Sequence, residues 1–144
     1  AHTFRRLGQF NYPNKEGWGL TVHDGRLVMS DGTFNLTYFD PNTFSVVKTL
    51  PVTKNGYALD HINELELING YIYANVWMSN TIVKIDPSNG KVVGELDLSP
   101  LYKEAERINP RIRELNGIAY DPDSNRVVVT GKLWPEIYQI RFAW

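Results

Sequence analysis

An all-β fold is predicted by three observations on this 144-residue chain. Short runs rich in branched and aromatic residues recur along it, as is typical of strands. Asp-Gly, Asn-Gly and Asp-Pro pairs, which favour chain reversal, separate the runs. The runs also repeat as a unit, because strands that begin at Arg26, Tyr71 and Arg126 lie 45 and 55 residues apart. A repeat near this length, with four strands in each unit, is typical of the blades of a β-propeller.

The strands can be assigned in order along the chain. The clearest runs cover residues 26–29, 71–76, 81–85, 91–96 and 126–129. Together with weaker runs they predict a leading strand at residues 3–10, two full blades within residues 18–98, and a last blade of three strands ending at residue 144. Between the second and last blades, the apolar spacing in residues 101–114 predicts a helical turn or two that Pro110 ends.

The repeat can be registered residue by residue. Aligning the turns before the second strands makes three positions equivalent at the ends of those strands: Gly32, Trp77 and Lys132. Aligning the apolar positions of the first strands makes three earlier positions equivalent: Trp18, Asn63 and Asn116. Both sets fall at strand ends on one face of the predicted ring. The repeats therefore differ at the places where a site would be built.

The length of the chain conflicts with a closed ring. Propellers have about four to eight blades, whereas residues 1–144 supply about three. An open arc would leave apolar sheet faces in water. We therefore expect a partial propeller, completed by a companion segment that carries the missing amino-terminal blades. The leading strand at residues 3–10 would then belong to the blade before the first full one.

Composition limits the possible functions. The formal charge is −1 and no basic stripe is visible, so nucleic acid is not an expected partner. No stretch is long and apolar enough to predict a membrane span. The chain has no cysteine, which excludes thiolate chemistry and disulfides within it. His2, His23 and His61 lie far apart, and we expect no metal site.

Seven short motifs follow one another along the chain. They are Gly17-Trp18-Gly19-Leu20-Thr21, Met29-Ser30-Asp31-Gly32-Thr33, Asn63-Glu64-Leu65-Glu66, Ala74-Asn75-Val76-Trp77, Ile85-Asp86-Pro87, Leu115-Asn116-Gly117-Ile118-Ala119 and Thr130-Gly131-Lys132-Leu133-Trp134-Pro135. In this order and spacing they resemble the plant and bacterial type of glutaminyl-peptide cyclotransferase, also called glutaminyl cyclase. Each motif alone is weak, but seven in sequence are specific.

The resemblance implies a five-bladed propeller, of which this chain corresponds to the carboxy-terminal three fifths. It implies an acyltransferase that converts the amino-terminal glutamine of a peptide or protein to pyroglutamate and releases ammonia. The animal type uses zinc for this reaction, whereas this type uses neither metal nor cofactor. Members of the family are exported, which implies a periplasmic or secretory location.

The resemblance also implies roles for four residues. Asn63 matches the family's active-site asparagine, Trp18 and Trp77 match its channel-lining tryptophans, and Lys132 matches its lysine near the catalytic carboxylate. We expect Asn63 to donate a hydrogen bond to the γ-amide oxygen, because negative charge develops there during ring closure. The two indoles would hold the substrate and exclude water, and Lys132 would orient the carboxylate. Asn116 and Trp134, by contrast, are expected to be structural.

The family's catalytic glutamate lies in a Gly-Glu-Gly segment of an earlier blade, which would precede Ala1. In this sequence Gly17-Trp18-Gly19 resembles that segment, with tryptophan in place of the acid. Glu64 is adjacent to Asn63, so in an extended strand its side chain points to the other side. We therefore do not expect Glu64 to act as the missing base.

Two other functions stay open from the sequence. One is a propeller that only binds a peptide or sugar in an aromatic channel, and this chain alone does not separate it from the cyclase. The other is a metal-dependent, lactonase-like propeller, which needs several oxygen ligands around a cation. The equivalent positions here hold Trp18, Asn63 and Asn116 with Lys132 near them, and a lysine beside a bound cation is unfavourable.

Overall fold

The structure is a computed structural model that describes residues 4–141. It contains two four-stranded sheets, one three-stranded sheet and a short hairpin, all antiparallel. Blade 1 consists of β1 (Gly19–His23), β2 (Arg26–Ser30), β3 (Asn35–Phe39) and β4 (Val46–Pro51). The hairpin that follows consists of β5 (Thr53–Lys54) and β6 (Tyr57–Ala58). Blade 2 consists of β7 (Ile62–Ile68), β8 (Tyr71–Val76), β9 (Thr81–Ile85) and β10 (Val92–Asp97). Blade 3 follows helix α1 (Ser99–Ile108) and consists of β11 (Leu115–Asp121), β12 (Arg126–Gly131) and β13 (Tyr138–Ile140).

The three blades pack side by side through their first strands. In each blade the strands pair in sequence order, so the first strand lies at one edge of its sheet. β1 contacts β7, and β7 contacts β11. This is the arrangement of propeller blades around an axis, and it confirms the predicted fold class. Within residues 4–141 the chain forms two four-stranded blades followed by one of three strands.

Turn chemistry explains the hairpins between the first and second strands. Asp24 and Gly25 have φ of 48° and 67°, and Asn69 and Gly70 have φ of 48° and 80°. Two consecutive positive φ values match the twist of the flanking strands, and Asp-Gly and Asn-Gly adopt them at low cost. Pairing then places Leu20 opposite Met29 in β2, Leu65 opposite Ala74 and Ile118 opposite Val129. The register predicted from the repeat is therefore the register observed.

Two apolar clusters join the blades. One lies between blades 1 and 2 and includes Val28, Leu36, Tyr38, Ile62, Leu65 and Ile72, all at most 1% exposed. The other lies between blades 2 and 3 and includes Ile68, Tyr73, Ala105, Leu115, Val129 and Trp134. Blade 2 is thus buried on both faces, and close packing on both sides holds its strands in place.

The helix is longer than the sequence predicted. α1 spans ten residues and begins before the predicted segment, with Pro100 in its first turn, where a missing N–H costs nothing. It ends at Ile108, and Asn109 is extended with φ −133° and ψ 100°. A residue before proline avoids the helical region, so Pro110 ends the helix as expected. Ala105 anchors the helix against the second cluster.

The leading strand predicted at residues 3–10, as part of a preceding blade, is not formed by this chain alone. Residues 4–10 form no strand, and Phe4 and Leu7 are almost fully exposed. A strand needs the hydrogen bonds of a neighbour, and within residues 4–141 no strand pairs with this segment. Thr3 and the predicted end of the last blade at Trp144 lie outside the described residues. Among residues 4–141, no helix is long and apolar enough to span a bilayer.

Candidate active site

The predicted site residues line one pocket, on the face of the blades where the first strands begin and the second strands end. Its cavity of about 340 Å³ is lined by Trp18, Asn63, Trp77, Asn116 and Lys132. These five belong to the two sets that the repeat made equivalent, and they come from all three blades. Trp18, Asn63 and Asn116 come from the first strand of each blade or just before it, whereas Trp77 and Lys132 follow the second strands.

The two tryptophans form one wall of the pocket. Their ring centroids lie 5.4 Å apart with planes at 76°, an edge-to-face contact. The Trp18 ring lies over Gly32, where an added Cβ would be 2.6 Å from indole Cζ2. Gly32 is the blade 1 equivalent of Trp77, so glycine at this position leaves the space that the Trp18 ring occupies. His61 continues the wall, with its ring centroid 5.8 Å from that of Trp77.

A β-bulge presents Asn63 to the pocket. In blade 2, Ile62 pairs with Val76 and Leu65 with Ala74, so Asn63 and Glu64 together face only Asn75. An extra residue of this kind bends a strand and turns a side chain toward a site. Blade 3 repeats the bulge at Asn116 and Gly117, whereas in blade 1 Gly19 pairs directly with Ser30.

Blade 1 fixes the backbone of Asn63. The Ser30 hydroxyl donates a buried hydrogen bond of 2.5 Å to the Asn63 carbonyl oxygen. Gly19 allows this approach, because an added Cβ there would lie 2.3 Å from the same oxygen. Asn63 is 7% exposed, and no hydrogen bond within residues 4–141 occupies its carboxamide. The main chain is therefore fixed at the pocket, and the carboxamide of this lining residue is free of other hydrogen-bond partners within residues 4–141.

Lys132 lies beside a carboxylate of this chain. Its Nζ is 3.8 Å from Glu114 Oε2, and the side chains are 46% and 18% exposed. The backbones are joined as well, since Lys132 N donates to Glu114 O at 3.0 Å. No described residue donates a hydrogen bond to Glu114 Oε2, although that atom is buried. The ion pair thus holds the ammonium at the pocket.

Asn116, for which the sequence predicts a structural role, also lies at the pocket. Its side chain lines the pocket, and its Oδ1 is buried without a hydrogen-bond donor among residues 4–141. Trp134 fits the structural expectation, because it is 9% exposed and its Nε1 donates to Arg113 O at 3.0 Å.

The comparisons with known proteins agree on one family. The glutamine cyclotransferase family profile matches residues 1–142. The chain belongs to the glutamine cyclotransferase family. It is 44% identical over 137 residues to a glutaminyl-peptide cyclotransferase of Arabidopsis thaliana, covering 94% of this chain and 43% of that protein.

Solved structures of similar fold extend the comparison. The crystal structure of Myxococcus xanthus glutaminyl cyclase matches with a TM-score of 0.84 and 45% identity, over 89% of this chain and 56% of that one. A streptogramin B lyase matches with a TM-score of 0.53 at 15% identity, over 92% of this chain and 43% of the lyase, which is a likeness of fold alone. The chain thus spans about half the length of the glutamine cyclotransferase relatives that it matches.

Glu64 points away from the pocket, toward blade 3. Its Oε2 accepts a hydrogen bond of 3.0 Å from Ile118 N, and Glu66 Oε1 accepts one of 2.9 Å from Tyr120 N. Burial, with repulsion from the Glu66 carboxylate, raises the pKa of Glu64 to about 7. Burial also raises the pKa of Glu66. The two carboxyl groups therefore link neighbouring blades of the glutamine cyclotransferase fold, and Glu64 does not line the site.

Three side chains at the site were missed from the sequence. Glu16 Oε2 accepts a hydrogen bond of 2.6 Å from Trp18 Nε1, so this indole N–H is occupied. Glu114 pairs with Lys132, and His61 packs on Trp77. All three occupy one equivalent position of the repeat, two residues before Trp18, Asn63 and Asn116, so the register of the repeat is the signal that could have found them. Among residues 4–141, no three histidine or acidic side chains come together in a way that would hold a metal ion.

Proposed function

We propose that the complete protein converts the amino-terminal glutamine of peptides and proteins to pyroglutamate and releases ammonia. The observation that carries this proposal is the convergence of Trp18, Asn63, Trp77 and Lys132 on one pocket, in a chain of the glutamine cyclotransferase family. All four belong to the two equivalent sets of the repeat, and they are the four residues to which the family resemblance assigns roles.

The aromatic wall supports the first requirement of the reaction. The substrate's α-amine attacks its own γ-carboxamide carbon, so the rate depends on holding a folded conformer. Such positioning is worth several kcal/mol in intramolecular reactions. We assign the holding of the glutamine side chain to the corner that Trp18 and Trp77 form, and their faces would attract the ammonium form of the amine before it loses its proton.

Asn63 supports the second requirement. As the ring closes, negative charge develops on the γ-amide oxygen, and a fixed donor lowers the free energy of that state. The bulge and the Ser30 hydroxyl fix the Asn63 main chain, and no described residue forms a hydrogen bond with its carboxamide. We assign the oxyanion contact to Asn63. Trp18 Nε1 does not compete for this role, because it donates to Glu16.

The third requirement is proton transfer. The amine loses a proton and the departing nitrogen gains one, which needs a group such as a carboxyl. None of the five described residues that line the pocket is acidic. We assign the proton transfer to a glutamate on an additional blade, as the family resemblance implies, and a positioning role to Lys132.

The complete protein is proposed to have additional blades that pack against blade 1. The outer face of blade 1 exposes Leu20 by 60% and Val22 by 52%, and a cavity of about 290 Å³ there is lined largely by apolar side chains. Packing of a companion segment on this face would bury them. Denaturing electrophoresis and intact mass of active material test this point, and full activity of a monomeric chain of 16.5 kDa would contradict it. A periplasmic or secretory location is also proposed, on family membership alone.

The test of function uses the complete protein and a synthetic peptide with amino-terminal glutamine. We expect stoichiometric ammonia release and a product whose amino terminus no longer reacts with amine reagents. The same peptide with amino-terminal asparagine is the matched control, because its shorter side chain would have to close a strained four-membered ring. Tight binding of the glutamine peptide without any turnover would instead identify a non-catalytic binding propeller.

A further inference from the structure

A second cavity adjoins the candidate active site. Its volume is about 410 Å³, and it is lined by Met78, Ser79, Asn80, Tyr102, Arg113 and Glu114. Two connections join it to the first pocket. Met78 directly follows Trp77 in the chain, and Glu114 forms the ion pair with Lys132. We infer that this cavity is a subsite for the residues that follow the glutamine, and that Arg113 makes it favour acidic side chains.

The walls of the cavity belong to rigid elements. Tyr102 lies on α1, with its ring edge-to-face against Trp134 at 6.1 Å. Ser79 closes the turn between β8 and β9, since its hydroxyl donates to Val76 O at 2.7 Å and accepts from Thr81 N at 3.2 Å. A preformed cavity of this kind binds a ligand without first ordering its own walls.

Met78 gives the cavity an exposed apolar side chain that a peptide could contact. It is 70% exposed and has a φ of 63°, a conformation that is uncommon for a residue with a long side chain. Leu133, which follows Lys132 as Met78 follows Trp77, repeats both features with 62% exposure and a φ of 62°. Strained backbone of this sort concentrates at ligand sites. The two side chains offer apolar surface to a peptide leaving the first pocket.

Charge decides which peptides fit best. Glu114 is already paired with Lys132, so these two charges largely offset one another. Arg113 is exposed, and within residues 4–141 its guanidinium has no ion-pair or hydrogen-bond partner. The cavity therefore carries one uncompensated positive charge. A guanidinium binds carboxylates through a fork of N–H donors, which predicts a preference for Asp or Glu soon after the glutamine.

This inference rests on the proposed function, and its test separates the two. In the complete protein, kcat/KM is measured for peptides with Glu, Gln or Lys at the second or third position, and for glutaminamide, which has nothing to place in the subsite. Absence of turnover with every one of these substrates would defeat the proposed function. With turnover present, we expect Glu to exceed Lys by about threefold to fivefold at one of the two positions, the size of a solvent-exposed ion pair.

The variants are Arg113→Gln and Arg113→Glu, with Arg111→Gln as the matched control. The main chain of Arg113 makes its structural bonds, to Lys132 O and from Trp134 Nε1, so side-chain changes leave them intact. Arg111 is an exposed arginine on the same segment that does not line the cavity. We expect the first variant to abolish the preference, the second to reverse it and the control to keep it. Equal ratios in all four proteins, or loss of the preference in Arg111→Gln, would overturn the inference.

Discussion

Trp18 and Trp77 meet edge to face across the boundary between blades 1 and 2, with ring centroids 5.4 Å apart. They occupy non-equivalent positions of the repeat, one before the first strand and one after the second. The contact exists because blade 1 has Gly32 where blade 2 has Trp77, which gives the Trp18 ring its space. One aromatic wall is therefore assembled from two blades, and both blades must be in place to form it.

Replacing Trp77 by phenylalanine should weaken substrate binding. The smaller ring loses part of the contact with Trp18 and with the glutamine, and aromatic contacts are worth about 0.5–1.5 kcal/mol. We expect KM for a glutamine peptide to rise roughly twofold to tenfold with little change in Tm. Trp134→Phe is the control, since it removes the hydrogen bond to Arg113 O and should lower Tm instead. Unchanged binding and turnover in Trp77→Phe would remove Trp77 from the site.

Replacing Asn63 by alanine should slow the chemical step. Loss of one oxyanion donor typically lowers kcat by about two orders of magnitude. The Ser30 bond goes to the Asn63 main chain and survives the change, so we expect Tm to fall only slightly. The control is Asn42→Ala, in the exposed turn between β3 and β4, which should leave both kcat and Tm unchanged. A variant that melts much earlier yet turns over normally at low temperature would show that Asn63 is structural.

Pyroglutamate formation should survive thorough chelation. The proposed mechanism uses an amide donor, aromatic walls and proton transfer, and it assigns no step to a metal ion. We expect the same kcat/KM after dialysis against a strong chelator as before it. Activity that disappears on chelation and returns with added zinc would contradict the mechanism.

Stability should fall as pH rises through the titration of Glu64. The folded-state pKa is about 7, against an ordinary value of 4.5, so the folded protein binds this proton more tightly than the unfolded chain does. The contribution is fully present below about pH 4.5 and is lost between there and about pH 7. Glu64→Gln should therefore flatten the decline of Tm across this range, with some slope left from Glu66.

The control for that measurement is Glu95→Gln, a change at an exposed carboxylate that pairs with Lys54 on the surface. It should leave the slope of Tm against pH as it is in the unsubstituted protein. An identical slope in Glu64→Gln would show that this carboxyl group is not destabilised by ionisation in the folded state.

Replacing Gly19 by alanine should disturb the site through the backbone. The new Cβ would lie 2.3 Å from the Asn63 carbonyl oxygen and 2.9 Å from Glu64 Cα, so β1 and β7 would have to separate. Overpacking of this kind costs about 1–3 kcal/mol, and the shift also moves Asn63. Gly94→Ala is the matched change, because its Cβ would meet only the Lys84 side chain at 3.5 Å. Equal thermal stability of the two variants would contradict the close approach.

The sequence by itself determined the blades and their register. Alternating branched residues and Asn-Gly or Asp-Gly turns are local signals, and a hairpin with a two-residue turn has only one register. The equivalence of Trp18 with Asn63, and of Trp77 with Lys132, followed from that register and is observed in the pairing. Residues 4–10 form no strand in this chain, since a strand needs a pairing partner that local pattern does not supply.

Only the tertiary structure decided how the site is built. The bulges at Asn63 and Asn116 are visible only in the pairing of two strands, and no motif within a single strand predicts them. The register of the repeat places Glu16, His61 and Glu114 at one equivalent position, but their contacts with Trp18, Trp77 and Lys132 appear only in the packed structure. Glu64 acquires its raised pKa for the same reason, because burial against blade 3 is a property of packing between distant segments. Periodicity records which way a side chain points within its own strand, whereas distances between blades are set by the packing of their cores.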